Sequence, residues 1–198
     1  MATIIQRIQE QLGEKSLVPG TSLAHKWLLQ KVKQLNPTGQ DRMQLLKQRD
    51  AQRNKAIIGR FYFFHYEPKL KEVLPYWDRF PLVIPIKQYT DGFLGLNLHY
   101  ISPKDRLILL KQLSRFATGS LQDERTRLKP SYPLLSATHQ AYRATPCVKR
   151  YLLQHIRTRV IEIPTPEWDI AAALPLQQFT SKTSIRPQEV WEESKEKF

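Results

Sequence analysis

The chain has 198 residues and carries 31 Lys and Arg against 18 Asp and Glu, which gives a formal net charge of +13. This length favours one domain with extensions over two full domains. No stretch approaches the roughly 20 apolar residues that span a bilayer, the N-terminus lacks the apolar segment of a signal peptide, and the single Cys147 excludes an internal disulfide framework or a thiolate zinc cluster. We therefore expect a soluble, intracellular protein with a polyanionic partner.

Helical patterns dominate the first 58 residues. The apolar residues of a first predicted helix recur at helical spacing and end at Gly13: Ile4, Ile5, Ile8 and Leu12. Ser22 is the expected cap of a second helix, which the Asn36-Pro37 pair ends. A third helix is predicted from about Asp41 to Asn54, and its low apolar content means that it needs a partner surface. We predict that residues 1–58 form a basic helical arm.

From Arg60 the composition changes to aromatic and β-branched residues, which favour strands. Strands are predicted over 60–66, over 81–86 and over 93–101. Pro85 places the second of these at a sheet edge or at a β-bulge. The turn Thr90-Asp91-Gly92 joins the second and third strands into a hairpin.

The second half of the chain alternates helix and strand signals. Ser102 is the predicted cap of a helix that starts at Pro103 and closes at Gly119. Residues 121–145 are predicted to be a polar connector with a weaker helix, and Pro146 opens an amphipathic helix through His155. Two more strands are predicted over 160–163 and 170–174, separated by a turn at 164–166.

Five short strands around a helical insertion predict an α+β fold with a small antiparallel β-barrel, SH3-like or related, as its core. The predicted division is a basic helical arm over 1–58, an α+β core domain over 59–180 and a C-terminal tail helix over 181–198. Trp191 is expected to anchor this tail to another surface.

No set of reactive groups converges in the sequence. The seven glycines form no phosphate loop, and the five histidines have no metal-ligand spacing. Asp78, Asp91 and Asp105 are well separated and are expected to have structural roles at turns or caps. We therefore predict that the protein is not an enzyme and uses no cofactor and no metal.

The basic residues are unevenly distributed, and they form two clusters. One lies in the N-terminal arm, and the other lies in a stretch from Arg125 to Ile161 that contains no Asp or Glu. In the amphipathic segment that starts at Pro146 and just beyond it, Lys149, Arg150 and Arg157, with Arg159 as a further candidate, would flank an apolar stripe of Val148, Leu152 and Ile156. Such a band suits phosphates, which need charge and donors but no base-reading geometry.

Several aromatic residues are interspersed with charged residues along the chain, and they allow two interpretations. These residues are Tyr62, Tyr66, Tyr76, Trp77, Tyr100 and Tyr142. They could stack on bases at a frayed DNA end. Core packing explains most of them as well, and it is the favoured interpretation.

Six sequence motifs together resemble one family. They are GRFYFFHYEPK from Gly59, LPYWDRFPLVIPI from Leu74, DGFLGLNLHYISP from Asp91, PCVKRYL from Pro146, EWDIA from Glu167 and VWEES from Val190. As a set, they are similar to the DNA end protector proteins of large contractile-tailed phages (myoviruses). The resemblance implies a virion protein that binds the ends of packaged DNA and shields them from host exonuclease. It implies no catalytic residue, and Asp78 and Asn97 in these motifs are expected to have scaffold roles, Asp78 through a pair with Arg79 or a turn cap.

The resemblance and the charge together predict a non-specific grip on DNA phosphates. The predicted DNA-binding residues are Arg42, Lys47, Arg49, Arg53, Lys55, Arg125, Arg127, Lys129, Arg143, Lys149, Arg150, Arg157 and Arg159. Expected partners are DNA, at its backbone or its ends, and other virion proteins, with room for a homo-oligomer in a symmetric particle and no membrane. The expected location is the virion, and the host cytoplasm during assembly. The alternative function is a structural connector of the phage neck or baseplate that docks on acidic subunits.

Overall fold

The computed structural model describes residues 2–117, 147–182 and 184–196. Six α-helices lie in these residues: α1 Ile4–Glu14, α2 Ser22–Val32, α3 Gly39–Leu46, α4 Pro103–Ala117, α5 Trp168–Ala173 and α6 Pro187–Glu196. Eight strands accompany them: β1 Gln52–Arg53, β2 Phe61–Phe63, β3 Tyr76–Asp78, β4 Leu82–Tyr89, β5 Gly92–Asn97, β6 Val148–Leu152, β7 Val160–Ile163 and β8 Phe179–Ser181.

Six of the described strands form one antiparallel sheet in the order β1-β7-β2-β4-β5-β6, and β3 pairs with β8 separately. The predicted α+β class is confirmed. The two ends of the large sheet are different strands, β1 and β6, so the sheet is open and the described strands form no closed barrel. β1 and β6 are therefore edge strands, and each pairs with only one neighbour in this sheet.

The β4–β5 hairpin was predicted correctly, with one refinement. The register shifts between Pro85 and Lys87, which confirms a bulge at this proline. The alternative of a sheet edge is wrong, because β4 lies between β2 and β5. A Cβ atom at Gly92 would collide with the carbonyl oxygen of Tyr151, so glycine is required for β5 and β6 to approach this closely. The predicted third strand ends at Asn97, and a 3-10 turn, Leu98–Tyr100, replaces its last residues.

Helices cover one face of the large sheet. Side chains of β2, β4 and β5 on this face share one buried cluster with residues from α1, α2, α3, α4 and α5. On the opposite face lies a second, smaller cluster of buried residues: Ala56, Tyr62, Phe64, Tyr66, Val83, Phe93, Tyr151 and Val160. Phe64 packs edge-to-face on Phe93 and Tyr151 within it. The sheet is therefore buried on both faces near β2.

The first two N-terminal helices agree with the sequence prediction, and the third does not. All four apolar residues predicted for α1 are buried, and Thr3 caps the helix through a capping box. Thr21, one residue before the predicted Ser22, caps α2. The third helix ends at Leu46 instead of continuing to Asn54, and a 3-10 turn, Arg49–Ala51, leads into β1. Since α1, α2 and α3 join the main core, they are packed elements, and the three-part domain division stays a prediction.

The segment after Pro146 is a strand and not the predicted amphipathic helix. Val148, Leu152 and Ile156 are spaced by four residues, and positions four apart share a face on a strand as well as on a helix. Val148 and Tyr151 are β-branched and aromatic, which favours the strand. β6 pairs with β5 along its whole length.

The predicted strand over 170–174 is also wrong, because residues Trp168–Ala173 form helix α5. Three consecutive alanines have the highest helix propensity, and a short apolar run does not by itself distinguish a buried strand from a buried helix. The predicted turn before it is present as a 3-10 turn, Thr165–Glu167. Ile170 and the alanines are fully buried among α1, α2 and α4.

The ends of the later helices follow the predicted signals where they are described. The Ser102 hydroxyl accepts a hydrogen bond from the Asp105 amide at 3.3 Å, which confirms the cap of α4. Gly119 and the connector 121–145 lie outside the described residues.

Trp191 on α6 donates its indole N–H to the carbonyl of His99 at 2.9 Å, so this residue does anchor the tail. Within the described ranges, no helix is long and apolar enough to cross a membrane.

Candidate nucleic-acid interface

The pairing of β1 with β7 brings Arg159, from the second basic cluster of the sequence, next to the basic cluster of the N-terminal arm. Arg53 lies opposite Val160, so the chain that continues to Lys55 runs beside Arg159. The 3-10 turn before β1 and the end of α3 both contact β7 as well. We call the resulting surface the basic corner, and its residues are Lys47, Arg49, Arg53, Lys55 and Arg159. Residues about 110 positions apart in the sequence thus form one surface.

Most of the charge on the basic corner is uncompensated. The Glu162 carboxylate bonds Arg53 Nε at 2.8 Å through Oε2 and Arg60 Nη1 at 2.8 Å through Oε1. The remaining four cations are exposed and form no ion pair with any described residue: Lys47, Arg49, Lys55 and Arg159. Exposed, unpaired cations are free to contact an anion without first breaking a bond in the protein.

Arg42, which the sequence placed in the same group, is held inside the fold. Its guanidinium donates to the carbonyl oxygens of Leu176 at 2.8 Å, Pro37 at 3.0 Å and Gln177 at 3.1 Å. Burial lowers the pKa of Arg42, although the nearby Asp78 acts in the opposite direction. The side chain connects α3 to the chain before β8, and its predicted contact with DNA stays untested.

The cations of the β6 region do not form the predicted basic band beside the apolar stripe of a helix. Lys149 and Arg150 are neighbours on a strand, so they point to opposite faces. The Lys149 ammonium lies over the Tyr100 ring, 4.7 Å from its centroid. Arg150 pairs with Asp91 and lies over the Tyr89 ring. These two cations are therefore engaged with other parts of the protein.

Arg157 is also paired, with Glu67. Its Nη2 lies 3.0 Å from Glu67 Oε2. Lys71 and Arg157 hold the pKa of the Glu67 carboxyl below its ordinary value. Four further predicted DNA-binding residues, Arg125, Arg127, Lys129 and Arg143, lie outside the described residues.

A small cleft of about 230 Å³ opens beside the basic corner. Its lining combines apolar and polar side chains: Arg53, Asn54, Ala56, Phe93, Leu153, Ile156, Thr158, Arg159 and Val160. The Thr158 hydroxyl accepts the backbone N–H of His65 at 3.1 Å, which fixes this wall of the cleft. No sequence pattern predicted the cleft, because it depends on the β1–β7 register and on the path of the chain over 54–58 and 153–159.

The aromatic residues considered for base stacking are mainly in the core. Tyr62, Tyr66 and Tyr100 are buried, and the Tyr62 and Tyr66 hydroxyls accept backbone N–H groups of Ile57 and Leu152. Tyr76 and Trp77 are half-buried on β3, and Tyr142 is outside the described residues. The positions of Tyr62, Tyr66 and Tyr100 support the packing interpretation.

A second group of charged residues is buried on the helical side of the sheet. Asp78 Oδ2 lies 2.7 Å from His99 Nδ1, and its Oδ1 accepts the backbone N–H groups of Phe80 and Gln178, both at 3.1 Å. Asn97 donates to the same carboxylate at 3.3 Å. Asp78 therefore caps a turn as predicted, but its side-chain partner is the ring of His99 and not Arg79. We call Asp78, Asn97, His99 and Arg106 the buried network.

Electrostatics fix the charge states in the buried network. Burial opposes ionisation of Asp78, but His99 and the hydrogen bonds together hold the pKa of the Asp78 carboxyl below its ordinary value. Burial lowers the pKa of His99, against the influence of Asp78, so the neutral ring is favoured. Arg106 is fully buried and donates to the carbonyls of Ile101 at 2.8 Å and Ala172 at 3.1 Å. This arrangement stabilises the fold, since no part of it reaches the surface.

Comparison with known proteins identifies the family of the chain. Neither the curated proteins nor the solved structures contain a match to the chain. Residues 38–194, well over half of the chain, match the model of the family described as phage T4 terminal DNA protecting protein. This range covers the basic corner, the cleft and the buried network. The chain belongs to the phage T4 terminal DNA protecting protein family.

Proposed function

We propose that this protein binds the ends of packaged phage DNA through phosphate contacts at the basic corner and shields them from exonuclease without doing chemistry itself. The observation that carries the proposal is the set of four exposed cations that have no ion pair among the described residues. The family description, protection of terminal DNA, supports the same function.

The corner suits a backbone ligand more than a specific base sequence. Lys and Arg side chains on an edge strand and its flanking turns supply charge and donors, which is what phosphates require. Binding of this kind releases counterions, so affinity falls steeply with salt. If about six phosphates are contacted, the log–log slope on duplex DNA is roughly −5.

The DNA end would be protected because the bound protein occupies it. An exonuclease has to reach the terminal nucleotide, and a protein bound there blocks access without any catalytic group of its own. The protein would act in the virion, where the DNA and other virion proteins are its partners, after assembly in the host cytoplasm.

The test is binding of the purified protein to a linear duplex and to the same sequence as a closed circle, over a salt series, with an exonuclease challenge in parallel. We expect salt-steep binding that favours the linear form and delays digestion from the ends. Feeble binding without preference or protection would overturn the proposal, and the basic corner would then be assigned to docking on acidic virion subunits.

A further inference from the structure

The cleft beside the basic corner has a lining that the phosphate contacts do not use. Resting on the proposed function, we propose that it holds the unpaired terminal nucleotide of a DNA end. The base would enter the apolar part of the cleft, and its phosphate would lie at Arg159. The protein would then recognise an end as an end and not as any stretch of duplex.

The size of the cleft limits its occupant. At about 230 Å³ it is smaller than the roughly 300–1,000 Å³ of pockets that take drug-sized ligands. A folded partner segment or a stacked pair of bases needs more room. One planar group of the size of a nucleobase matches the space better.

The lining matches the chemistry of a single nucleotide. The exposed Leu153 and the half-buried Ile156 supply an apolar surface above the buried Phe93 and Val160, and this surface favours the face of a base over a hydrated ion. Asn54 and Thr158 bring an amide and a hydroxyl to the same cleft, and these groups can donate to and accept from a base edge. An acidic peptide would use the cations but would leave the aliphatic surface without a counterpart.

The charge at the cleft lies where a phosphate would need it. Arg159 lines the cleft, is exposed and has no ion pair with any described residue. Arg53 lines it too, and shares the Glu162 carboxylate with Arg60. One unpaired guanidinium beside an apolar surface can bind a phosphate bidentately while the base is buried.

An unpaired end is favoured over a paired one for an energetic reason. A base inside a duplex has to be unstacked and unpaired before it can enter a pocket, which costs free energy. A nucleotide that overhangs the duplex has no partner to leave. The cleft therefore adds affinity at ends and nothing along the duplex.

The experiment uses the full chain and DNA hairpins that share one duplex sequence and differ at the open end. One end is blunt, one carries a single unpaired thymidine at the 5′ or the 3′ strand, and one carries the same overhang without its base. We expect the thymidine overhang of one polarity to bind about fivefold or more tightly than its abasic counterpart. Blunt and abasic ends should bind alike.

Each outcome separates this inference from the proposed function. Equal affinity for thymidine and abasic overhangs, with the preference for linear over circular DNA retained, would overturn the cleft site and leave end binding intact. Loss of all DNA binding would overturn both. Because these comparisons vary only the DNA, they do not depend on whether a variant folds.

A matched pair of protein variants adds a second measurement. Ala56→Leu places a larger side chain in the cleft and leaves every cation unchanged, and we expect it to abolish the difference between thymidine and abasic ends. Ala51→Leu makes the same change at a half-buried alanine that does not line the cleft, and it should keep that difference. An unchanged difference in Ala56→Leu, with folding verified by circular dichroism, would count against the site.

Discussion

The buried network and the basic corner are both built from charged residues, but they differ in whether each charge has a partner. In the network, Asp78 meets His99 and three further donors, and Arg106 donates to backbone carbonyl oxygens. In the corner, only Arg53 has an acidic partner, and four exposed cations have none among the described residues. The first arrangement stabilises the fold, and the second leaves charge available for a ligand.

This difference shows why the net charge of +13 indicates a class of ligand but not the site of binding. Arg42 and Arg159 are the same residue type, and the sequence predicts a DNA contact for both. In the fold, Arg42 is bonded to three carbonyl oxygens, whereas Arg159 projects beside a cleft. Burial and pairing, which depend on the tertiary structure, decide which cations can meet DNA.

The largest expected effect is on stability, from Asp78→Ala. The substitution removes the acceptor of four hydrogen bonds in a buried site and leaves their donors unsatisfied. We expect the free energy of unfolding in urea to fall by about 3–5 kcal/mol. Asp91→Ala is the control, since it removes an exposed pair with Arg150 that is worth no more than about 1 kcal/mol. Equal losses in the two variants would mean that the network contributes no more to stability than an exposed ion pair does.

The second effect is a loss of stability in acid. The pKa of His99 is below its ordinary value of 6.5, so below that pH the unfolded chain takes up a proton that the folded chain resists. His65 acts in the same direction, because burial and Arg79 lower its pKa. The lowered pKa of Asp78 extends the effect to lower pH, as the unfolded carboxyl is protonated first near 3.8.

The free energy of unfolding should therefore decline as the pH falls through about 6.5 and further near 4. Urea unfolding at pH 7.5, 5.5 and 4 measures this decline. A His99→Gln variant is less stable but should show a flatter profile between pH 7.5 and 5.5. Stability that increases on acidification over this range would contradict the charge states given for the network.

The third effect concerns only the basic corner. In the double variant Lys55→Ala and Arg159→Ala, two phosphate contacts are removed, and the log–log salt slope should become less steep by about 1.8. The unfolding free energy should change by about 0.5 kcal/mol or less per site, because both side chains are exposed. The double variant Lys26→Ala and Lys104→Ala removes the same number of positive charges from exposed positions on α2 and α4, and this charge-matched control should leave the slope unchanged. Coincident slopes for the double variant and the wild type would remove the corner from the interface.

Local signals in the sequence were sufficient to predict the elements that have a clear apolar spacing, a capping residue or a proline. The apolar spacing of α1, the Ser102 cap of α4 and the Pro85 bulge are each determined by a few neighbouring residues. The signals failed where two structures share one pattern. A four-residue apolar repeat suits both a helix and β6, and the apolar run of α5 suits both a buried helix and a strand.

The sequence predicted the types of residue in the candidate site but not how they come together. Composition identified the basic residues around 47–55 and Arg159, but their proximity depends on the pairing of Arg53 with Val160, which is a long-range contact. Nothing in the sequence around Asn54 and Thr158 predicts a binding role. They line the cleft because the β1–β7 register places them there. His99 was missed as the partner of Asp78, since residues 21 positions apart meet through the sheet.

The smallest expected effect is a gain of DNA affinity in Glu162→Gln. This carboxylate is the acidic group that bonds Arg53 and Arg60, so its neutralisation raises the charge of the surface by one and releases Arg53 for a phosphate. We expect tighter binding to linear DNA at low salt and a log–log slope steeper by up to about 0.9, measured by fluorescence anisotropy.

Glu192→Gln on α6 makes the same change in net charge at an exposed residue and serves as the control. If overall charge alone governed binding, the two variants would gain affinity equally. If Glu162→Gln bound DNA more weakly than the wild type, the carboxylate would instead be positioning Arg53 for its phosphate. The ion pair would then belong to the binding surface in the way that the Asp78–His99 contact belongs to the core, and the contrast between the two regions would hold only for the four unpaired cations.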